Sequence, residues 1–160
     1  MTARYDELYT DLCASIVKYC VDKINVLDAT YPELQFLDWD AHGEMRELPD
    51  KDLLGPAGVG MVQEDNTFEV TFSIGVSTRN DRSLNRLRRL VSNIYADLRP
   101  QQKLHMYRLA TAVAGTPPTP LGWLVCQSPC LITPITRAET RAFQFVQLRG
   151  LLDPKLPFAA

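Results

Sequence analysis

The sequence predicts an α+β fold: an antiparallel or mixed β-sheet packed with a long N-terminal helix and a second amphipathic helix. Three observations predict it. Apolar residues recur at three- and four-residue spacing over residues 4–28. Apolar and polar residues alternate over 68–77, the pattern of a half-buried strand. A second helical stripe, Leu84, Leu87, Val91, Ile94 and Leu98, follows shortly after. Each of these faces needs a partner surface to bury against. At 160 residues, the chain fits a single domain, 1–160.

The first helix carries Tyr5, Leu8, Tyr9, Leu12, Ile16, Tyr19, Cys20, Ile24 and Leu27 at three- and four-residue spacing. Asp6, Glu7 and Asp11 lie in its first turns, where negative charge suits the helix dipole. Pro32 marks the end of that region. Residues 34–39 read as a short strand. The stretch 40–60 is polar at first and then holds Gly55, Pro56, Gly58 and Gly60, so it reads as a loop or insertion. Those glycines lack the order of a phosphate-binding loop.

Phe68, Val70, Phe72, Ile74 and Val76 then form one wholly apolar strand face. Asn80, Asp81 and Ser83 supply helix-start residues, and the second helix is expected over 83–98, stopping before Pro100. Residues 104–113 and 141–149 read as further strands. Between them, 121–126 and 130–135 are apolar, but Pro129 and Pro134 would confine a strand there to an edge or a short segment. Residues 153–160 read as an extended tail.

Composition narrows the function. Apolar residues make up 46% and the net charge is −2, which argues against gross disorder and against a purely electrostatic polyanion binder. No apolar run reaches the ~20 residues of a membrane helix, so no membrane association is expected. No apolar signal segment follows Met1, and synthesis in the cytoplasm is the expectation. Cys13 and Cys20 would stand ~10 Å apart along a helix, too far to share one zinc ion easily. Cys126 and Cys130, spaced C-x3-C, are a weak metal signal. Reduced, partly buried thiols are the simpler reading. His42, near Asp38 and Asp40, reads as an exposed histidine in a polar loop, and His105 as a partly buried side chain at a sheet face. No GxSxG elbow and no HExxH helix is present. The chain is therefore read as non-enzymatic, with no cofactor and no metal.

Charge is distributed unevenly. Residues 1–65 carry a net −9 and the remainder +7. Such asymmetry fits an internal contact or head-to-tail self-association between unlike surfaces. Residues 79–108 alone carry an excess of +6. Arg82, Arg86 and Arg89 share one helix face by spacing, opposite the apolar stripe. With Arg79 they are the candidates for a subunit interface or a ring lumen, since arginine suits bidentate carboxylate pairing. A solvated arginine face would give the same pattern.

The order of elements over 66–150 resembles the tail terminator, or tail-completion, proteins of long-tailed bacteriophages. The resemblance lies in the strand Phe68–Val76, the Asn80-Asp81 turn, the helix Leu84–Leu98 and the strand from Leu104. The Gly/Pro-rich 115–122 and the late strand opened by Arg141 complete it. It implies a small structural subunit of a six-membered ring that caps the tail tube and joins tail to head. The implied partners are further copies, the tail tube protein and head–tail connector or neck proteins, with non-specific DNA contact in the lumen. The implied location is the head-proximal end of the virion tail, after assembly in the host cytoplasm. The 40–60 insertion and the proline-rich C-terminus have no place in that pattern. A neck or connector protein, or a dimeric α+β binding module outside phages, are the alternatives.

Overall fold

The structure, a computed structural model, describes residues 3–42, 48–65, 67–109, 113–154 and 158–159, with side chains over 7–42, 48–65, 67–109 and 113–152. The fold is α+β, as expected: two helices and a curled, mixed sheet of seven strands. In chain order the elements are β1 (Ala3–Arg4), α1 (Tyr5–Leu27), β2 (Leu34–Phe36), β3 (Asp52–Glu64) and β4 (Thr67–Arg79). They continue with α2 (Asn85–Leu98), β5 (Lys103–Arg108), β6 (Thr119–Ile132), β7 (Thr136–Ala138), β8 (Arg141–Pro154) and β9 (Phe158–Ala159). The main sheet runs β2-β3-β4-β8-β6-β5, with β7 also paired to β8. Only the β2–β3 pairing in it is parallel. The short strands β1 and β9 pair separately, in parallel.

The alternating strand expected at 68–77 is the middle of β4. Its buried side chains Phe68, Val70, Phe72, Ile74 and Val76 join Leu8, Leu12 and Ile16 of α1 and Leu87, Leu90, Ile94 and Leu98 of α2 in one core. Both helices therefore share the apolar side of the sheet. On its other side Trp39 lies against Gly75, with its indole nitrogen donating to the Gly75 carbonyl at 3.2 Å. Phe143 and Phe145 meet the same indole edge-on, at 5.9 and 6.1 Å between ring centroids.

The long N-terminal helix also seals an edge. The Asp11 carboxylate accepts from the Leu109 N–H at 2.8 Å, and the Ser15 hydroxyl oxygen accepts from the Tyr107 N–H at 3.0 Å. Asp11 and Ser15 are buried, and their spacing of four places both on one side of α1. Polar groups at this otherwise apolar boundary thus satisfy amides at the end of β5.

Several sequence expectations need correction. The segment 40–60 is not a loop throughout: β3 begins at Asp52, and Leu53 to Pro56 are buried within it. The glycines and proline that read as a turn serve the strand. A Cβ at Gly55 would fall 1.5 Å from the Leu37 carbonyl oxygen, so close approach of the β2 extension demands glycine. Gly58 has φ +61° and sits at an irregularity in the β3–β4 register between Ala57 and Gly60. Residues 43–47 of that segment lie outside the described residues.

The two apolar runs around Pro129 meet in one strand, β6, which ends at Ile132. It lies between β8 and β5 over residues 119–125, and around Pro129 it has β8 alone beside it among the described residues, an edge position as expected. Pro129 is tolerated because the register with β8 breaks between Gln127 and Leu131. The helix expected from residue 83 begins at Asn85, since Leu84 takes a left-handed conformation with φ 60°. The Asp81 carboxylate reaches past it and accepts from the Leu87 N–H at 2.9 Å, which satisfies one first-turn donor. The strand expected over 104–113 is formed over Lys103–Arg108, and residues 110–112 lie outside the described residues. The last strand runs on to Pro154, so the expected tail at 153–160 begins inside β8.

Candidate functional site

The four candidate arginines divide into two pairs. Arg79 ends β4 and Arg86 lies in the first turn of α2, and both turn to the start of β3. Arg86 Nε donates to Asp52 Oδ2 at 2.6 Å and its Nη2 to Asp52 Oδ1 at 3.2 Å. The same Nη2 donates to the Arg79 carbonyl at 2.5 Å. The Arg79 N–H donates to Asp52 Oδ1 at 3.0 Å. The Arg79 guanidinium pairs with the exposed Asp50. The carboxylate of Asp52 therefore ties the start of β3 to the end of β4 and to α2. Its hydrogen bond to Arg86 raises the guanidinium pKa above the ordinary arginine value.

This corrects the expectation for Arg86. Spacing put it on a face available to a partner, but its guanidinium is spent on a carboxylate of the same chain. The long side chain reaches around the helix end to a residue that one-dimensional spacing cannot see. Beside it lies an open cleft of about 370 Å³, lined by Tyr31, Glu33, Lys51 and Asp50 among others. Its charges are matched: Lys51 pairs with Glu33, Arg79 with Asp50, and Arg86 with Asp52. Arg141 closes the neighbouring side, donating to the Lys51 carbonyl at 2.9 Å and to the Pro49 carbonyl. Such matched pairs hold strands together and leave little unbalanced charge for a ligand.

Arg82 and Arg89 stand apart from this cluster. Both are exposed, as is Arg88 beside them. Among the described residues none of the three has an ion-pair partner. The one acid within α2, Asp97, faces α1 instead. It takes a hydrogen bond from the Tyr19 hydroxyl at 2.9 Å and an ion pair from Lys23 at 2.8 Å. Burial first, and then the Asp97 charge, hold the Tyr19 phenol well above its ordinary pKa. The exposed charges on α2, Arg88 and Arg89, are therefore both basic. Of the expected face of Arg82, Arg86 and Arg89, Arg86 turns to Asp52, while Arg82 and Arg89 are exposed together with Arg88, which was not among the candidates.

No protein-family model matches the chain, and no curated protein matches it.

The remaining candidates take structural positions. The His42 N–H donates to the Asp38 carbonyl at 3.1 Å. The Asp38 side chain accepts from the amides of Asp40 and Ala41. Both Asp40 oxygens accept from the Gly58 N–H, at 2.9 and 2.8 Å. The two carboxylates shape a turn and fasten it to β3. His105, expected to be partly buried, is instead exposed, because it lies on the outward side of the alternating strand β5; its ring is 4.6 Å from that of Trp123. Cys20 and Cys126 are buried, Cys13 and Cys130 partly so, and none forms a disulfide. Burial pushes the Cys20 thiol up to about 12 and, with Cys130 adding to it, the Cys126 thiol to about 11. Among the described residues no three His, Cys, Asp or Glu side chains gather where a metal ion could sit. None of the described helices is long and apolar enough to cross a membrane.

The residue that sequence reasoning missed is Asp52. A lone aspartate in a Gly/Pro-bordered stretch carries no local mark of burial. The only available signal was global: an acidic first part and a basic remainder must meet somewhere, within a chain or between chains.

Proposed function

We propose that the chain is a structural subunit that associates through unlike surfaces into a closed ring, of the kind that terminates the tail of a long-tailed bacteriophage. The observation that carries assembly is the sorting of arginines. Arg79 and Arg86 are neutralised inside the subunit, while Arg88 and Arg89 on α2, and Arg82 just before it, are exposed with no ion-pair partner among the described residues. A one-signed face on a chain of net charge −2 implies an acidic surface elsewhere, and unlike surfaces on one molecule generate rings or filaments. The tail-terminator part of the reading rests on the resemblance in element order. It brings a six-membered ring, the tail tube and the neck proteins as partners, and no catalysis or cofactor.

Sedimentation velocity over a range of concentration and salt, with electron microscopy of the heaviest species, tests this. The expected result is a ring-sized particle that loosens as salt rises, because contacts between exposed charges are screened. A strict monomer or dimer under all conditions would overturn the ring and favour a small binding module. A ring that joins to portal-side proteins but not to tail tubes would move the chain to the neck.

A further inference from the structure

The β3–β4 hairpin is longer than the core beneath it. Leu53 and Leu54 are fully buried at its base, whereas Val62, Gln63 and Glu64 are exposed in succession at its far end. β8 accompanies β4 only as far as Phe68, so Glu64 and its cross-strand partner Thr67 overhang the sheet. Val62 is 64% exposed there, a large apolar side chain directed at solvent beside two acids, Glu64 and Asp65. Neither acid has an ion-pair partner among the described residues. Asp65, with φ +51°, makes the turn, and its carbonyl accepts from the Gln63 side chain at 3.1 Å.

Most other acids with described side chains are already engaged. Asp22, Glu33, Asp50, Asp52 and Glu69 have lysine or arginine partners, and Asp40 caps a backbone amide. The hairpin tip thus keeps two adjacent carboxylates unneutralised. It also lies at the opposite pole from the unneutralised arginines. The other end of the same hairpin holds Asp52, which Arg86 of α2 grips. A strand of 13 residues spans about 40 Å at 3.3 Å per residue. The acidic tip cannot fold back to reach the first turns of α2 in its own subunit.

We propose that the β3–β4 tip of one copy docks on the exposed arginine face of α2 in a second copy. Glu64 and Asp65 meet Arg88 and Arg89, and Val62 loses its exposure to water. Charge complementarity between the two poles selects the occupant. The contact is heterologous, because the tip and the helix are different surfaces, so each subunit gives one and receives one. This rests on the ring reading above and names the surfaces that close it.

Two charge-reversed variants test the contact. The tip variant is Glu64→Lys with Asp65→Asn, which keeps a residue that tolerates the left-handed turn. The helix variant is Arg88→Glu with Arg89→Glu, at exposed positions. Each alone is expected to self-associate about tenfold more weakly or worse, because like charges now face each other. Mixing the two is expected to restore assembly, since tip-variant and helix-variant subunits can alternate with every contact again between opposite charges. Neutral Arg88→Gln with Arg89→Gln should fall in between. Wild-type assembly that neither variant disturbs would overturn this contact and leave the ring standing. A wild-type protein that never assembles would overturn both. Loss of DNA binding by the helix variant, with self-association unchanged, would assign the arginines to a polyanion and overturn the contact.

Discussion

Arg86 grips Asp52 with two nitrogens, at 2.6 and 3.2 Å, across 34 residues of sequence. The Asp52 side chain is only 6% exposed, while the Arg86 side chain keeps 36% of its surface in solvent. The pair therefore lies between a surface ion pair and a buried one. Its larger effect is architectural, because Asp52 also accepts from the Arg79 amide and so joins three elements at one point.

Removing one partner should cost more than removing both. Arg86→Ala leaves Asp52 buried with only the Arg79 amide to satisfy it, and is expected to destabilise the chain by about 1–3 kcal/mol. The double change of Arg86→Ala with Asp52→Asn should recover part of that loss. Urea unfolding of wild type, the two single variants Arg86→Ala and Asp52→Asn, and the double variant gives the coupling directly. Equal, additive losses would show that the two side chains act independently.

Gly55→Ala should be among the most damaging small substitutions. The added methyl would overlap the Leu37 carbonyl oxygen, which is backbone and cannot swing aside. A loss of at least about 1–3 kcal/mol is expected, the ordinary cost of overpacking. The strand β2 should loosen first, so fluorescence of Trp39 should change before circular dichroism does. A melting temperature unaltered by the substitution would contradict the close approach.

The helix seal on β5 can be read amide by amide. Asp11→Ala removes the acceptor for Leu109, and Ser15→Ala that for Tyr107. Faster hydrogen exchange at those two amides is expected, with amides in β4 little changed. Each substitution should cost on the order of 1 kcal/mol. Unchanged exchange at both sites would mean that α1 does not hold this edge.

Alkaline pH should weaken the fold through its thiols. Cys20 and Cys126 hold their protons to higher pH when folded than when unfolded, about 12 and 11 against 9.0. Their contribution is complete below pH 9 and is lost as pH rises from 9 through the folded values. Stability measured by urea at pH 8, 9 and 10 should therefore fall over the last step, and less so in a Cys20→Ala variant. At pH 8, a thiol reagent should label Cys13 and Cys130 well before the two buried cysteines.

Much of this fold was legible because its signals are periodic. The stripes of Leu12 and Ile16, or of Leu87 and Ile94, repeat along one element and need no knowledge of a partner. Strand β3 was not legible because Gly55 and Gly58 answer to neighbours: one to the Leu37 carbonyl, the other to a register irregularity. Pro129 was legible because the rule is local: β5 pairs with β6 only over residues 119–125 and leaves the proline on an uncovered stretch. At the candidate site, the residue types were readable and their allegiance was not. Arg86 and Arg89 are alike in sequence, yet one bends to Asp52 and the other faces solvent.

The seal formed by Asp11 and Ser15 also limits what can pair with the end of β5. An uncovered strand invites another strand, and such backbone-to-backbone templating propagates without limit. Along the end of β5 that route is occupied. A neighbour arriving on this flank must be recognised by side chains, and recognition by side chains can stop at a defined number.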